Sequence, residues 1–457
     1  MQTLQAFVSR AAAMVAVAFL LPGAAHAAPA DPAADPASPG NDGRVVLGSD
    51  AGDAFLDRMD ARLDARSGSA GDIPAFARKY GVTCALCHAP FPRLTDFGER
   101  FAANGFEIQP GEQPTDTVST GDEELRLMER LPLAVRMDLY AQGNTGTGRG
   151  TAETDLQTPY NIKLLSGGQI ADGISYYMYF FLSERGEVAG LEDAYVQFTD
   201  VGGSGVSVMA GQFQVSDPLF KRELRLEFED YQVYRVNVGL SPFDLTYDRG
   251  VMVTYSPWAD GDLVAGVVNG RGLNESSATR QLDRDAQKNG FLRYSQDLGP
   301  LRVGGYVYRG SETVEGVDNE AWIFGPDATV PLGSFGEINL QYLRREDDAP
   351  FFGQPASPAG DPSTSVDAAM GEVIWWPSGQ GGDLHLSGLV NWVDADRPVI
   401  ALGVGESNED PAFLETYTST ALGASWAARR NVRLVGEAQW DFQLDQARFT
   451  AGLVAAF

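Results

Sequence analysis

The chain has 457 residues and a formal charge of −28 at pH 7, from 34 Lys and Arg against 62 Asp and Glu. A protein this acidic repels nucleic acid and attracts cations, so binding to a polyanion is excluded. Its 52 glycines and 10% aromatic residues suit many strands and turns, and its length exceeds one ordinary domain.

Residues 1–27 carry Arg10, an apolar run from Ala11 to Leu21, Pro22 and the small-residue site Ala25-His26-Ala27. That order reads as a secretory signal peptide, and its apolar stretch is too short for a transmembrane helix. Cleavage after Ala27 removes His26 and leaves His88 and His385 as the histidines of the exported chain. Residues 28–52 are rich in Ala, Pro and Asp and read as a disordered tether. In DAFLDRMDARLDAR, residues 53–66, Phe55, Leu56, Met59 and Leu63 fall at helical spacing. The spacing predicts an amphipathic helix at the start of a helical segment spanning 53–128.

Residues 81–106, GVTCALCHAPFPRLTDFGERFAANGF, hold the only two cysteines, Cys84 and Cys87, with His88 directly after the second. Two thiols three positions apart can each add across a vinyl group of one porphyrin, and the next imidazole then becomes the iron's proximal axial ligand. A structural zinc site needs four nitrogen or sulfur ligands, more than two cysteines and so few histidines supply. A thioredoxin-like pair has no use for the histidine and expects a βαβ context that is absent here. The expectation is one c-type haem, held covalently by Cys84 and Cys87 with His88 on the iron. Export agrees, because haem can be attached outside the cytoplasm.

From 129 to 457 the pattern alternates with period two. In LAVRMDLYA, Val135, Met137, Leu139 and Ala141 oppose Arg136, Asp138 and Tyr140; in EINLQY, Ile338, Leu340 and Tyr342 oppose Glu337, Asn339 and Gln341. NVRLVGEAQWDF does the same, with Leu434 and Trp440 opposite Arg433 and Glu437. A soluble sandwich would also alternate, so the turns arbitrate. There are about 16 candidate strands, an even number as in bacterial outer-membrane barrels. Tight connections near 171, 201, 258, 298, 331, 378 and 428 follow even-numbered strands, whereas 143–157, 216–243, 271–288, 346–365 and 395–412 are long. This asymmetry predicts a transmembrane antiparallel β-barrel with both termini on the periplasmic, short-turn side. The chain ends FTAGLVAAF, an alternating strand closed by Phe457 that is similar to the insertion signal of outer-membrane barrels.

PAFARKYGVTCALCHAPFPRLTDFGERFAANGF, residues 74–106, closely resembles the haem segment of the fused monohaem cytochrome and porin proteins. The best-known members of that family are outer-membrane iron oxidases of iron-oxidising bacteria. The matching features are Pro74-Ala75-Phe76-Ala77-Arg78, Phe91-Pro92 with Leu94, and Phe97-Gly98 with Phe101 and Gly105; LSPFDLTYDRG at 240–250 is also similar. The resemblance implies an outer-membrane electron-transfer protein that takes electrons from extracellular Fe(II) and delivers them to a periplasmic cytochrome.

Geometry leads the same way. The cytochrome part, 70–125, has too few residues to wrap a haem by itself, and a barrel this wide leaves a lumen for it to plug. The haem is therefore expected in the lumen or on its periplasmic side. For the sixth iron ligand, Met128 in LRLMERLP is the first candidate and His385 in GDLHLSG its rival, with Met59, Met252 and water remaining. Phe76, Phe91, Phe97, Phe101 and Phe106 read as packing residues, Arg78 and Lys79 as propionate partners or solvated cations. Glu229-Asp230 and Glu346-Asp347-Asp348 are carboxylate clusters that could collect Fe²⁺, or simply solvated loops. No nucleophile and base come together for hydrolytic work, so no catalytic residues are assigned. Three functions stay open: inward electron transfer from Fe(II), outward export to extracellular acceptors, and a porin with the haem segment as plug or redox gate.

Overall fold

Alternation gives each strand one face for an apolar environment and one for the interior, and closure removes the unpaired edges that a lipid-exposed sheet cannot tolerate. A computed structural model describes residues 75–108, 117–122, 126–128, 132–145, 153–188, 190–219, 223–258, 261–273, 280–283, 287–354, 361–401 and 414–457. The expected signal peptide, the tether and the helix over 53–66 with Met59 lie outside the described residues.

A closed barrel of 16 antiparallel strands dominates the structure. They are β1 Leu133–Asn144, β2 Thr154–Ala171, β3 Ile174–Glu184, β4 Gly190–Phe198, β5 Val206–Gln214, β6 Tyr247–Trp258, β7 Gly261–Val268 and β8 Asn289–Leu298. There follow β9 Leu301–Val314, β10 Val317–Pro331, β11 Gly336–Asp347, β12 Thr364–Trp375, β13 Leu384–Ala395, β14 Thr416–Arg429, β15 Val432–Asp441 and β16 Gln446–Ala456. Each strand pairs with its neighbour in sequence, and β16 closes on β1 with Ala451 opposite Ala141. Phe457 continues that seam, exchanging backbone hydrogen bonds with Val135 at 2.7 and 2.9 Å.

The charged face points inward. On β1, Arg136, Asp138 and Tyr140 are buried, and on β11 so are Glu337, Asn339 and Gln341. The outward face exposes Leu340, Leu422 and Leu434 between two aromatic belts: Trp258, Phe335, Trp375 and Trp426 at one end, Trp322, Trp440, Phe442 and Phe449 at the other. Apolar bands flanked by aromatic girdles are the outer surface of a transmembrane barrel. The connections after even-numbered strands are short, as at 172–173, 299–300 and 430–431. Those after odd-numbered strands include the long ones, 215–246, 269–288, 348–363 and 396–415. The segregation is less complete than the sequence suggests, because β9 and β10 are joined at the long-loop end by residues 315–316 alone.

The interior is not lined by polar side chains alone. Connection 215–246 folds inward and lays Leu219, Tyr231, Tyr234, Phe243 and Leu245 against inward-facing Phe213, Met252, Tyr308, Ile323, Leu343, Met370 and Val393. The physical reason is pairing of surfaces: a segment with that many large apolar side chains can leave water only if the facing wall is apolar too. Polar groups remain on the opposite wall, around β1, β2, β15 and β16, where Arg136, Lys163, Arg433 and Arg448 face carboxylates of the same inward segment.

Candidate haem site at the short-turn end

Among the described residues three short helices precede the barrel: α1 Ala75–Tyr80, α2 Cys84–Cys87 and α3 Asp96–Ala103. Helix α3 starts where Thr95 places its hydroxyl to accept from the Gly98 amide at 3.1 Å, with Asp96 and Glu99 in the first turn, a favourable charge at a helix start. The same hydroxyl donates to Leu86 O at 2.7 Å, which ties α3 to the turn carrying the cysteines. Gly98 lets the two approach: a Cβ there would overlap the Cys87 carbonyl. Phe97, Phe101 and Phe106 are buried, and Phe76 stacks on Phe106 with ring centroids 4.9 Å apart. These aromatics are core residues of the segment, as the sequence reading has them. Lys79 is exposed and donates to the Tyr80 hydroxyl at 2.8 Å.

Wall contacts place the segment across the short-turn end of the lumen. Phe106 stacks on Tyr177 of β3 at 5.5 Å, and Ala103 O accepts from Gln197 of β4 at 2.7 Å. Arg93 donates through Nε to Glu337 of β11 at 2.9 Å, and Arg302 of β9 lies 3.8 Å from Glu99. Arg433 of β15 donates to Phe91 O at 2.7 Å, while Arg136 of β1 sits over the Phe91 ring at 4.9 Å. Each of these wall residues lies close to a short turn, on strands distributed around the barrel.

Within this frame Cys84 and Cys87 are free thiols at the two ends of the one-turn helix α2, Cys84 exposed and Cys87 half-buried. Burial pushes the Cys87 thiol up to about 12, the opposite of the lowered values of catalytic thiols. His88 caps the helix, and its Nδ1 lies 3.0 Å from Pro92 O. A carbonyl at Nδ1 fixes the tautomer and leaves Nε2 unprotonated, the form in which imidazole binds a metal. Burial holds the ring neutral, lowering its pKa to about 4 against the opposing pull of the Pro92 carbonyl. Arg433 adds a further observation: its Nε and Nη2 are buried and meet no acceptor among the described residues. Paired free thiols, an imidazole with a committed Nδ1 and orphaned guanidinium donors nearby fit a c-type haem with its propionates.

The other candidate residues are placed less directly. His385, the second residue of β13, is 9% exposed, with Nε2 3.4 Å from Gln380 O and Arg433 among its charged neighbours. It therefore lies at the short-turn end, as its position after a short turn implies. Met128 lies opposite Thr117 in a short ladder of Thr117–Ser119 with Arg126–Met128, between the helices and β1. Met252 is a buried inward-facing residue of β6. None of these is brought against His88 by a described contact. The acidic clusters are committed elsewhere: Glu229 pairs with Arg448 at 2.6 Å, Asp230 with Arg235 at 2.9 Å, Glu346 with Arg344 at 2.8 Å and Asp347 with Arg345 at 2.6 Å. Among the described residues no group of three or more His, Cys, Asp or Glu could hold a separate metal ion.

Sequence reasoning missed Arg93, Arg136 and Arg433, which anchor the segment. The signal was present: Arg136 and Arg433 sit on the inward register near the starts of strands, where a plug at the short-turn end must meet the wall.

No protein-family model matches the chain, and no curated protein matches it. Among solved structures the chain is similar to the anion-selective porin from Comamonas acidovorans, with 10% identity, coverage of 72% of this chain and 99% of that one, and a TM-score of 0.51. It is also similar to OmpT of Vibrio cholerae lacking loop L8 (14% identity, 72% and 99% coverage, TM-score 0.48). A third neighbour is the outer-membrane channel DcaP of Acinetobacter baumannii (10% identity, 71% and 97% coverage, TM-score 0.47). The first likeness is one of fold: the protein is a sixteen-stranded β-barrel of the porin kind.

Proposed function

We infer that the protein is an outer-membrane barrel whose short-turn end carries one c-type haem, and that it moves electrons across the membrane from an extracellular donor to a periplasmic cytochrome. The observation that carries this is His88: it follows two free thiols at the correct spacing, its Nδ1 is committed to Pro92 O at 3.0 Å, and its segment is anchored to the barrel wall. When bound, the haem supplies reversible one-electron exchange. Cys84 and Cys87 fix it to the chain, His88 presents Nε2, and the barrel wall screens the site from lipid. Extracellular Fe(II) is the proposed donor, favoured by the resemblance of residues 74–106 to the haem segment of iron oxidases and by the net acidity of the chain. The apolar outer band and both aromatic belts support the membrane location.

A second reading has its own support. The porin likeness favours a solute channel in which the haem segment is a plug or redox gate. Against free diffusion stands the interior itself, with the apolar side of the inward segment packed against the wall.

Both readings are tested in proteoliposomes. Fe²⁺ added to the outer side should reduce the haem, at a rate that falls as ionic strength rises, because the attraction is screened. Planar-bilayer recordings should show little conductance. Absence of reduction by Fe²⁺ where dithionite reduces fully removes iron as donor, and a large steady conductance establishes the porin reading instead.

A further inference from the structure

The inward segment 215–246 and the loop that follows the haem motif meet at two arginines. Arg433 uses a single Nη1 to donate to Phe91 O at 2.7 Å and to Glu227 of the inward segment at 2.8 Å. Arg136 stands over the Phe91 ring at 4.9 Å and donates to Glu223 of the same segment at 3.2 Å. Phe91 in turn packs its ring against His88, centroids 4.5 Å apart. One aromatic residue beside the axial ligand is thus gripped from two wall strands, and each gripping residue is held by a different carboxylate of the segment descending from the long-loop end.

We propose that Arg136 and Arg433 are positioning residues for the axial histidine, and that through them the inward segment sets how tightly residues 88–95 are held. The proposal rests on the reading of His88 as a haem ligand, but the coupling it describes lies in the protein alone. The Coulomb attraction between each guanidinium and its glutamate is strong because the surroundings exclude water: side-chain exposure is 12% for Arg433, 5% for Glu227, 6% for Arg136 and 16% for Glu223. Neutralising a glutamate removes one of the restraints that hold its arginine at Phe91, leaving Arg136 with Asp138 at 2.8 Å and Arg433 with Ser425 at 3.1 Å. What faces Phe91 then changes; Glu223 also acts on His88 electrostatically, whereas the contacts described for Glu227 run through Arg433.

Coupling of this kind is reciprocal. Whatever loosens the inward segment must loosen residues 88–95, and a change at Phe91 must be felt at Glu223 and Glu227. A donor or ligand that engages the segment from the long-loop end therefore has a direct mechanical route to the haem ligand.

Hydrogen exchange on the full-length protein as isolated from membranes tests this. The amides of His88, Ala89 and Thr95 donate to Cys84 O, Arg93 O and Cys87 O at 2.9 to 3.0 Å and report on the loop. Glu223→Gln with Glu227→Gln should speed their exchange about tenfold, the effect of losing charge-assisted hydrogen bonds. Glu229→Gln is the control, since Glu229 binds Arg448 of β16 and Ser419 of β14 rather than the two clamp arginines. In the reverse direction Phe91→Ala should speed exchange at Phe228 and Glu229, whose amides donate to Glu437. Unchanged exchange at 88–95 in the double variant, or an equal effect from Glu229→Gln, overturns the proposal. If a variant fails to insert, the Phe91→Ala arm decides alone. Mass spectrometry of the same samples separates the two claims: a chain without covalent haem that still shows coupled exchange removes the haem reading and leaves the clamp.

Discussion

Arg93, in the loop between α2 and α3, and Glu337 of β11 form a buried ion pair, Nε to Oε1 at 2.9 Å, with Glu99 completing it at 2.6 Å from Nη1. Breaking such a pair from one side leaves a carboxylate without its cation, which costs about 3–5 kcal/mol in buried settings. Arg93→Ala should therefore release residues 81–95 from the wall while the barrel stays closed. Limited proteolysis should cut the variant within that stretch at protease levels that leave the wild type intact. The heat-modifiable mobility of the barrel on gels should be unchanged.

Gly98 faces the carbonyl of Cys87 with no room for a methyl group. Gly98→Ala pushes α3 off the cysteine turn and weakens the contact that Thr95 makes with Leu86 O at 2.7 Å. The expected result is less covalent haem per barrel, measured by in-gel peroxidase stain against total protein. Gly81, where a Cβ would meet nothing within 4 Å, is the comparison position, although its φ of +68° adds strain of its own.

Removing both attachment points is a sharper test of how the two parts depend on each other. Cys84→Ala with Cys87→Ala should abolish covalent haem and leave the barrel heat-modifiable, because the strands satisfy their backbone hydrogen bonds among themselves. Loss of the barrel in this variant would show instead that haem is needed for strand closure.

Much of this architecture was legible because period two is a strong signal when one face is lipid-exposed. Arg136 with Asp138, and Glu337 with Asn339, could be assigned to one face from sequence alone, and the structure buries all four. What alternation cannot reveal is what fills a barrel. The connection containing Tyr231 and Tyr234 reads as an extracellular loop, yet both residues are buried inside; its apolar side chains have no partner in a one-dimensional pattern. The site shows the same division. Cys84, Cys87 and His88 lie within five residues, so the spacing that suggests haem attachment can be read locally, whereas Arg93 and Glu337, 244 positions apart, meet only after closure. The acidic runs stayed ambiguous in sequence for a related reason: Asp347 with Arg345 and Glu346 with Arg344 are neighbours two apart on one strand face, so each carboxylate has its cation beside it.

Under the proposed haem reading, the sixth iron ligand is sought at two positions that the structure separates. His385 lies at the short-turn end, on a lumen-facing position of β13, and holds Nε2 3.4 Å from Gln380 O, a contact long enough to be exchanged for a better one. Met128 lies in the short ladder between helices and barrel, opposite Thr117. Methionine raises the haem potential relative to a second imidazole and suits oxidation of ferrous iron. The ferric spectrum decides between them. A near-infrared sulfur-to-iron band that disappears in Met128→Ala assigns methionine and predicts that His385→Ala leaves the spectrum unchanged. A bis-imidazole spectrum that becomes high-spin in His385→Ala assigns histidine, and with it a lower potential and a weaker case for iron as donor. A high-spin ferric spectrum in the wild type excludes both residues and leaves the distal face to a weak ligand such as water.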